Sequence, residues 1–299
     1  MPTPKAKKKA RKPVRLSAAN ADKHDLYQRS VQAPEYEIRF LNKAFKAHTG
    51  RKPLHLREDF CGTALLCSTW VKSDPERTAL GLDIDRPTIA WGIEHNLSKI
   101  GAAAERVTLL EQDVMVPTRR KVEVIGAYNY SYQVFHSRPL LARYFRAAHR
   151  SLTDDGLFVL DAIGGWESQQ VLTERRLCDG FTYVWEQAEY DPISSHFVCH
   201  ISYEFKDGTK LERAFTYDWR LWTLAELRDL LLEVGFAEVD AYWEGEDENG
   251  EGTGTFHRVV RTTNDPGWNA YLVAKKSPAL PGSPDAVRAG KKKARRAPK

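Results

Sequence analysis

The chain of 299 residues is 42% hydrophobic and 11% aromatic, so it can bury the core of one large or two small globular domains. Its formal charge of +5 is unevenly distributed, because residues 1–15 carry seven Lys or Arg and no acid, and residues 285–299 carry seven and one acid. The middle of the chain is therefore at about −8. This composition excludes a wholly disordered chain and indicates an acidic body between two basic ends.

Membrane, secretion and metal signals are missing from the sequence. No apolar run approaches the ~18 residues of a membrane helix, and no apolar stretch of the kind found in secretion signals follows the basic start. We therefore expect a cytoplasmic protein. The four cysteines form no C-x-x-C pair, so we expect reduced thiols, and we expect no metal.

The two ends differ from the segment that follows the first of them. Residues 1–20 and 277–299 are too polar and charged to form a core, so we expect disordered tails there. They serve either to keep the protein soluble or as weak contacts with RNA or another polyanion, and the lack of interleaved aromatics favours the former. Residues 21–53 instead have apolar positions spaced for two helices that separate near Pro34.

A strand that turns through a glycine into a helix is predicted at residues 54–64, LHLREDFCGTA. Gly62 lets the backbone approach a ligand, and the first N–H groups of the following helix, over residues 64–71, face that ligand. Glu58 lies at the end of the strand, where a carboxylate can hold an amine. The pattern is typical of a nucleotide site, although a dinucleotide fingerprint has three glycines.

Polar side chains also end the next strands. The strand at residues 78–84 ends near Asp83, the strand at 107–110 near Asp113, and the strand at 122–128 at Asn129. A fifth strand at 157–163 contains Asp161. Because these strands alternate with helices at residues 86–97 and 139–151, we predict a doubly wound, mostly parallel sheet whose carboxyl edge binds the ligand.

The pattern changes after residue 165. Apolar and polar residues alternate at 181–188, 196–205 and 211–218, which predicts an antiparallel insert of about three strands within residues 166–221 that caps the site. A helix at 224–234 begins with a capping box from Thr223 and Glu226. Strands at 237–243 and 268–274, joined by an acidic, glycine-rich loop at 244–254, complete a seven-stranded sheet. The main domain is thus predicted to span residues 54–276.

These motifs resemble those of the class I S-adenosylmethionine-dependent methyltransferases. The resemblance lies in EDFCGTA, GLDID, LLEQDV and SLTDDGLFVLD and covers roughly residues 54–236. It implies that Glu58 holds the methionine amine, that Asp83 binds both ribose hydroxyls and that Asp113 accepts from the adenine amine. Phe60 and Ala64 stand where the family has glycines. The resemblance implies further cofactor contacts from the turns and from a leading lid at residues 21–53: Phe60, Cys61, Gly62, Thr63, Ile84, Val114, Asn129 and Tyr27, with Gln28, Arg29 and Gln32 beside it.

Candidate catalytic residues follow the fourth strand, where the resemblance implies that acceptor and methyl group meet. Tyr130 or Tyr132 would face the sulfonium or pack under the next helix, and His136 is a further candidate or a surface residue. Asp161 either orients an amine or hydroxyl acceptor or caps the glycines that follow it.

Three functions remain open on the sequence. The first is a methyltransferase for an amine or hydroxyl of a small molecule, since the predicted insert looks like that of sugar-amine N-methyltransferases. The second is an RNA or protein methyltransferase that holds a large acceptor with its basic tails. The third is a binding module or nicotinamide binder, which Phe60 and Ala64 disfavour because pyrophosphate needs close backbone approach. We expect a monomer or a homodimer.

Overall fold

The computed structural model describes residues 15–248 and 252–287. Residues 1–14 and 288–299, which hold most of the two predicted tails, lie outside the described residues. Helices α1 (Lys23–Ser30) and α2 (Pro34–Thr49) confirm the two leading helices. Asp22 caps α1 by accepting from His24 and Asp25, and Gly50 ends α2 with a φ of 85°.

Five parallel strands form the centre of the main sheet, and the helices between them pack on its two faces. The strands and helices of this part are, in chain order, β1 (His55–Asp59), α3 (Leu65–Lys72), β2 (Thr78–Asp83), α4 (Arg86–His95), β3 (Val107–Glu111), β4 (Val122–Ala127), α5 (Arg138–Ser151) and β5 (Leu152–Gly164). β4 is buried at every position, as expected for a strand covered on both faces.

The insert is a separate antiparallel sheet with one strand more than predicted. Its four strands, each paired with the next, are β6 (Leu172–Cys178), β7 (Phe181–Asp191), β8 (His196–Phe205) and β9 (Lys210–Arg220). β6 escapes the periodicity argument because it is an edge strand whose residues LTERRLC are mostly exposed and bury no alternate face.

The main sheet also has one strand more than the predicted seven. After α6 (Leu224–Glu233), the chain forms β10 (Glu238–Glu246), β11 (Gly252–Val259) and β12 (Trp268–Lys275). The strand order is β11-β10-β12-β5-β4-β1-β2-β3, with β12 antiparallel to both of its neighbours. β11 pairs with β10 as an edge strand, and its glycines and polar residues conceal it in the sequence. The predicted fold class is otherwise confirmed.

Segments at both ends belong to the body rather than to tails. Where the sequence predicts a tail from residue 277, Asp285 is buried and accepts from the Lys275 Nζ at 2.8 Å. Near the other end, the Ala18 N–H donates to the Thr209 hydroxyl at 3.0 Å. Within the described ranges, no helix is long and apolar enough to cross a membrane.

Candidate active site

The glycine turn after β1 has a left-handed backbone at three positions. Phe60, Gly62 and Ala64 have φ values of 57°, 49° and 55°, so Phe60 and Ala64 adopt a conformation that costs a non-glycine residue about 1–2 kcal/mol. A side chain added at Gly62 would meet only a Thr88 methyl, at 3.7 Å, among the described residues outside the turn. At Gly92 in α4 it would lie 2.3 Å from the Thr63 carbonyl, so α4 packs directly against the turn. The Cα of Gly62 therefore faces open space, while α4 packs against the turn at Thr63.

Two of the predicted acids hold this turn. The Gly62 N–H donates to Asp83 Oδ2 at 2.7 Å, and the Asp85 N–H donates to Asp83 Oδ1 at 2.9 Å. Glu58 Oε2 accepts from the Cys67 N–H in the first turn of α3 at 3.0 Å. Each carboxylate oxygen has a second lone pair, so both side chains keep the capacity to bind a further donor.

The ends of the neighbouring strands β3 and β2 carry a polar and an apolar group. Asp113 accepts from the Met115 N–H at 2.8 Å, and the Ile84 side chain is 74% exposed beside the end of β2. An exposed isoleucine next to two acids suits the flat apolar face of a base. Val114 does not share this surface: its side chain is buried in the core, and its carbonyl accepts from Arg57 at 3.1 Å.

The end of β4 is shaped by Asp161. Asn129 and Tyr130 both have left-handed backbones, with φ values of 55° and 57°. Their N–H groups donate to the Asp161 carboxylate at 2.6 and 2.9 Å. Burial raises the pKa of Asp161 to about 7 in spite of these two bonds. Asp161 therefore holds the backbone of the β4 turn, a role that neither sequence interpretation anticipates.

The other predicted catalytic residues lie in three different places. Tyr130 donates its hydroxyl to Asn269 Oδ1 at 2.5 Å and faces a large cleft. Tyr132 is fully buried in the core, and its hydroxyl has no partner within the described chain. His136 is 45% exposed and contacts the Asp218 carbonyl at 2.9 Å on the insert. The structure brings together Tyr130 and Asp161 and separates Tyr132 and His136 from the cleft.

Three carboxyl groups converge on one face of the sheet beside the glycine turn, and we call Glu37, Glu58 and Asp161 the carboxyl chamber. Burial, together with repulsion from Glu58 and Asp161, raises the pKa of Glu37 to about 8. Burial also raises the pKa of Glu58 to about 8. Among the described residues, no Lys, Arg or His lies within 4.0 Å of the three carboxylates. The chamber is therefore a cluster of buried acids without a counter-ion among the described residues, and the raised pKa values of Glu37 and Glu58 favour their neutral forms at neutral pH.

The chamber includes residues that the sequence analysis does not identify. Tyr128 is 5% exposed, and its hydroxyl has no hydrogen-bond partner in the described part of the chain. Glu37 lies on the α2 face that carries buried Phe40 and Leu41, three and four residues later. An acid at the buried-face spacing of an amphipathic helix is the signal that could have identified it.

The leading helices contact both the glycine turn and the insert. Gln28 donates to the Thr63 hydroxyl at 2.7 Å, and Trp91 in α4 donates to Asp22 at 2.9 Å. Arg29 donates to the Asp179 carbonyl at 2.5 Å and so joins α1 to the insert. Tyr27 packs against Phe215 of the insert, with ring centres 4.9 Å apart. The lid thus bridges the glycine turn and the insert.

A cleft of about 820 Å³ lies between the carboxyl edge of the main sheet and the insert. Trp243 and Trp268 form one wall with ring centres 4.8 Å apart, and Trp268 packs so tightly on Gly164 that a Cβ there would be 2.1 Å from its ring. The rest of the lining includes Tyr130, Asn269 and four carboxylates, from Glu167, Glu174, Glu244 and Glu246.

The charges of the cleft leave it anionic. Two arginines line it, but Arg175 pairs with Glu204 at 3.7 Å and Arg176 donates to the Ser30 carbonyl. In the described ranges, none of the four lining carboxylates has a cationic partner within 4.0 Å. An aromatic wall facing unpaired carboxylates suits a polar ring that carries a cation.

Comparisons with known proteins identify the fold. No protein-family model and no curated protein sequence matches the chain. Solved structures do match. One is an S-adenosylmethionine-dependent methyltransferase from Clostridium acetobutylicum, with a TM-score of 0.63 and 16% identity, covering 84% of this chain and 96% of that one.

Two further matches are also methyltransferases. The CcbJ methyltransferase from Streptomyces caelestis has a TM-score of 0.62 and 14% identity and covers 85% of this chain and 96% of its own. CalS10, an amino pentose methyltransferase from Micromonospora echinaspora solved with S-adenosylmethionine bound, has a TM-score of 0.60 and 12% identity, with coverage of 85% and 96%. The chain therefore has the fold of S-adenosylmethionine-dependent methyltransferases.

Proposed function

We propose that the protein is an S-adenosylmethionine-dependent methyltransferase that acts on an amine of a small polar molecule. The observation that carries this proposal is the juxtaposition of an open glycine turn, acids at successive strand ends and a cluster of three buried acids without a cationic partner among the described residues. A cofactor with a nucleoside at one end and a sulfonium and an ammonium at the other matches all three features.

The residues present fit that cofactor. Glu58 would bind the ammonium, the backbone of Gly62 and Thr63 would contact the methionine part, and Asp83 would bind the ribose hydroxyls. Asp113 would accept from the adenine amine, with Ile84 against the ring. The Tyr128 hydroxyl, which is buried and has no hydrogen-bond partner among the described residues, supports this fit, because a bound polar group would supply that partner.

The chain's own residues would position the acceptor and exclude water. When bound, the cofactor supplies an electrophilic methyl carbon, whose bond to sulfur breaks with both electrons left on sulfur as the acceptor nitrogen forms its bond to carbon. Tyr130 and Asn269 lie where they can orient that nitrogen, and burial keeps the Tyr130 pKa well above its usual value, so the hydroxyl remains a donor. The proton released by the new ammonium has carboxylates of the cleft within reach of the same space.

An amine acceptor is favoured over a neutral one by the charge of the cleft. Glu244 Oε1 accepts from the Gly254 N–H at 2.8 Å and Oε2 from Asn269 at 3.5 Å, so both of its partners are neutral. An acceptor bound as an ammonium would supply the missing counter-charge, and it would give a proton to a carboxylate of the cleft before its nitrogen lone pair attacks the methyl carbon. The amino sugar named for CalS10 is an acceptor of this chemistry. A macromolecular acceptor held by the basic ends, a cytoplasmic location and the choice between monomer and homodimer stay predictions.

Calorimetric titration tests the cofactor assignment. S-adenosylmethionine should bind the wild type, and Asp83→Ala should lose about 1.5 kcal/mol or more of binding free energy because it removes charge-assisted bonds to two hydroxyls. Asp154→Ala is a matched control, since that side chain is 93% exposed and pairs with Lys276 instead. Absence of binding by the wild type would contradict the proposal.

Mass spectrometry tests the acceptor class. A panel of amino sugars should gain one methyl group, whereas the same sugars with an acetylated nitrogen should not. Glu244→Gln keeps the shape of the side chain and removes its charge, so we expect it to raise KM for amines more than it lowers kcat. Methylation of RNA or protein with no transfer to any amine of the panel would overturn the assignment in favour of a large acceptor.

A further inference from the structure

Three carboxyls meet in the carboxyl chamber, but only Glu37 comes from the lid. Glu58 and Asp161 belong to strands of the rigid main sheet, whereas Glu37 lies in the first turns of α2. The position of Glu37 is fixed by a chain of ring contacts. Phe40, on the next turn of α2, stacks on Tyr271 at 4.4 Å, and Tyr271 meets Tyr128 edge-on at 6.1 Å.

The pairing of the strands places these groups in two adjacent rows. Glu58 in β1 is the register partner of Gly126 in β4, and Asp161 in β5 is the partner of Tyr271 in β12. The Tyr128 ring lies over Gly126, where its hydroxyl would be 3.0 Å from an added Cβ. The phenol oxygen thus lies beside Glu58 on the face that α2 covers.

The unpartnered Tyr128 hydroxyl is an observation independent of the acids, and it also indicates a ligand. A buried hydroxyl without a partner costs free energy, which a bound polar group would recover. The three acids can ionise when a cation approaches and have no counter-ion among the described residues, so they indicate that this polar group carries a positive charge.

Resting on the proposed function, we propose that Glu37 makes this site charge-selective. It sets a third carboxylate, carried by the lid, against the sulfonium of the cofactor. The site then binds the sulfonium form more tightly than the neutral thioether product, S-adenosylhomocysteine, and the lid holds the product less strongly once the methyl group has left.

The physical reason is that cofactor and product differ by one methyl group and one positive charge. The free chamber holds protons on Glu37 and Glu58, because burial raises the pKa of each to about 8. A cation in the chamber favours the ionised carboxylates and displaces these protons, whereas a neutral sulfur does not. The ionisable groups that act on Glu37 come from its own helix, from β1, β5 and β12 and from the residue that follows β4: Glu35, Glu58, Asp161, Tyr271 and Tyr128.

Calorimetry of the full chain at neutral pH, in two buffers with different ionisation enthalpies, measures both affinity and proton release. In the wild type we expect S-adenosylmethionine to bind more tightly than S-adenosylhomocysteine and to release more protons. Glu37→Gln should lower the preference about tenfold, equivalent to about 1.4 kcal/mol, and should reduce the protons released by the cofactor but not by the product.

Two further variants keep the test sharp. Glu35→Gln changes an exposed acid on the same helix whose repulsion on Glu37 is weaker than that of Glu58 or Asp161, so it should change the preference far less than Glu37→Gln. Glu37→Asp retains the charge and should keep part of the preference. An unchanged preference and unchanged proton release in Glu37→Gln would overturn the inference and leave cofactor binding, and so the proposed function, intact. Failure of the wild type to bind either ligand would overturn both.

Discussion

Two neighbouring carboxyls of β1 point to opposite faces of the sheet and meet opposite surroundings. Asp59 is 1% exposed and accepts from Arg57 at 2.5 Å and from the Tyr144 hydroxyl at 2.9 Å. Glu58 is 5% exposed and accepts from Cys67 on the other face, with no cation nearby in the described residues. Burial raises the pKa of both, but only Asp59 has an opposing charge that lowers it.

The difference between these two acids separates structure from function. Arg57 also donates to Ser151 at 2.9 Å and to the Val114 carbonyl at 3.1 Å, so each of its three nitrogens has a partner. A buried ion pair with this many hydrogen bonds contributes to holding the core in one arrangement. A buried acid without such partners costs stability in the free protein, and a cationic ligand offsets that cost.

The largest expected effect is on stability, at the Arg57–Asp59 ion pair on one face of β1. Arg57→Met leaves the Asp59 carboxyl buried and without its cation, so we expect the free energy of unfolding in urea to fall by about 3–5 kcal/mol. The double variant Arg57→Met with Asp59→Leu removes both charges and should recover most of this loss. A single variant as stable as the wild type would show that the pair is not what distinguishes the two faces.

The second prediction concerns the face of β1 that carries Glu58, where the free energy of unfolding should depend on pH. A carboxyl whose pKa is about 8 when folded and 4.5 when unfolded favours the folded state fully below pH 4.5, and this contribution is lost as the pH rises towards 8. Between those values we expect each of Glu37 and Glu58 to lower the free energy of unfolding by up to about 1.4 kcal/mol per pH unit. Thermal melting of Glu58→Gln should show a shallower decline than the wild type, and an equal slope would contradict the assignment.

Asp161 tests whether an acid of the chamber also holds backbone. Asp161→Asn offers one acceptor oxygen where two N–H groups donate, so the turn at Asn129 and Tyr130 loses a bond. We expect a loss of about 1–3 kcal/mol in urea unfolding, with a larger fall in kcat than in cofactor affinity. Unchanged stability of Asp161→Asn would show that Asp161 does not position the β4 turn.

The smallest expected effect is at the lid. Gln28→Leu removes the 2.7 Å bond to Thr63, which we expect to lower stability by about 1 kcal/mol and to speed proteolysis within α1. Added S-adenosylmethionine should restore protection in the wild type more than in the variant. Equal protection of the two would show that this bond does not hold the lid closed.

The sequence predicted the fold well because its central elements follow strong periodic patterns. Strands alternating with helices fix a parallel sheet, so the acids at the ends of β1, β2 and β3 had to share one edge. The two missed strands, β6 and β11, are edge strands with exposed or glycine-rich sequences. Edge strands bury no continuous face, and so their sequences resemble loops.

The sequence predicted a site residue correctly only where the position of that residue at the end of a single strand determines its location. Glu37 enters the chamber because α2 packs across the sheet, and Asn269 meets Tyr130 because β12 runs antiparallel beside β5. Such contacts depend on long-range packing that no local pattern contains. Tyr132 shows the converse: its local context suggested the site, but its ring fills the core.

The most direct test of the contrast between the two faces is the affinity of S-adenosylmethionine for the wild type and for Glu58→Gln, measured by calorimetry. If the unpaired acid is a cation site, the variant should bind about tenfold or more weakly, as expected for the loss of a charge-assisted bond worth about 1.5–3 kcal/mol, while its stability is equal or higher. Equal affinity of the two proteins for the cofactor would contradict the account, because Glu58 would then be a buried acid without a ligand.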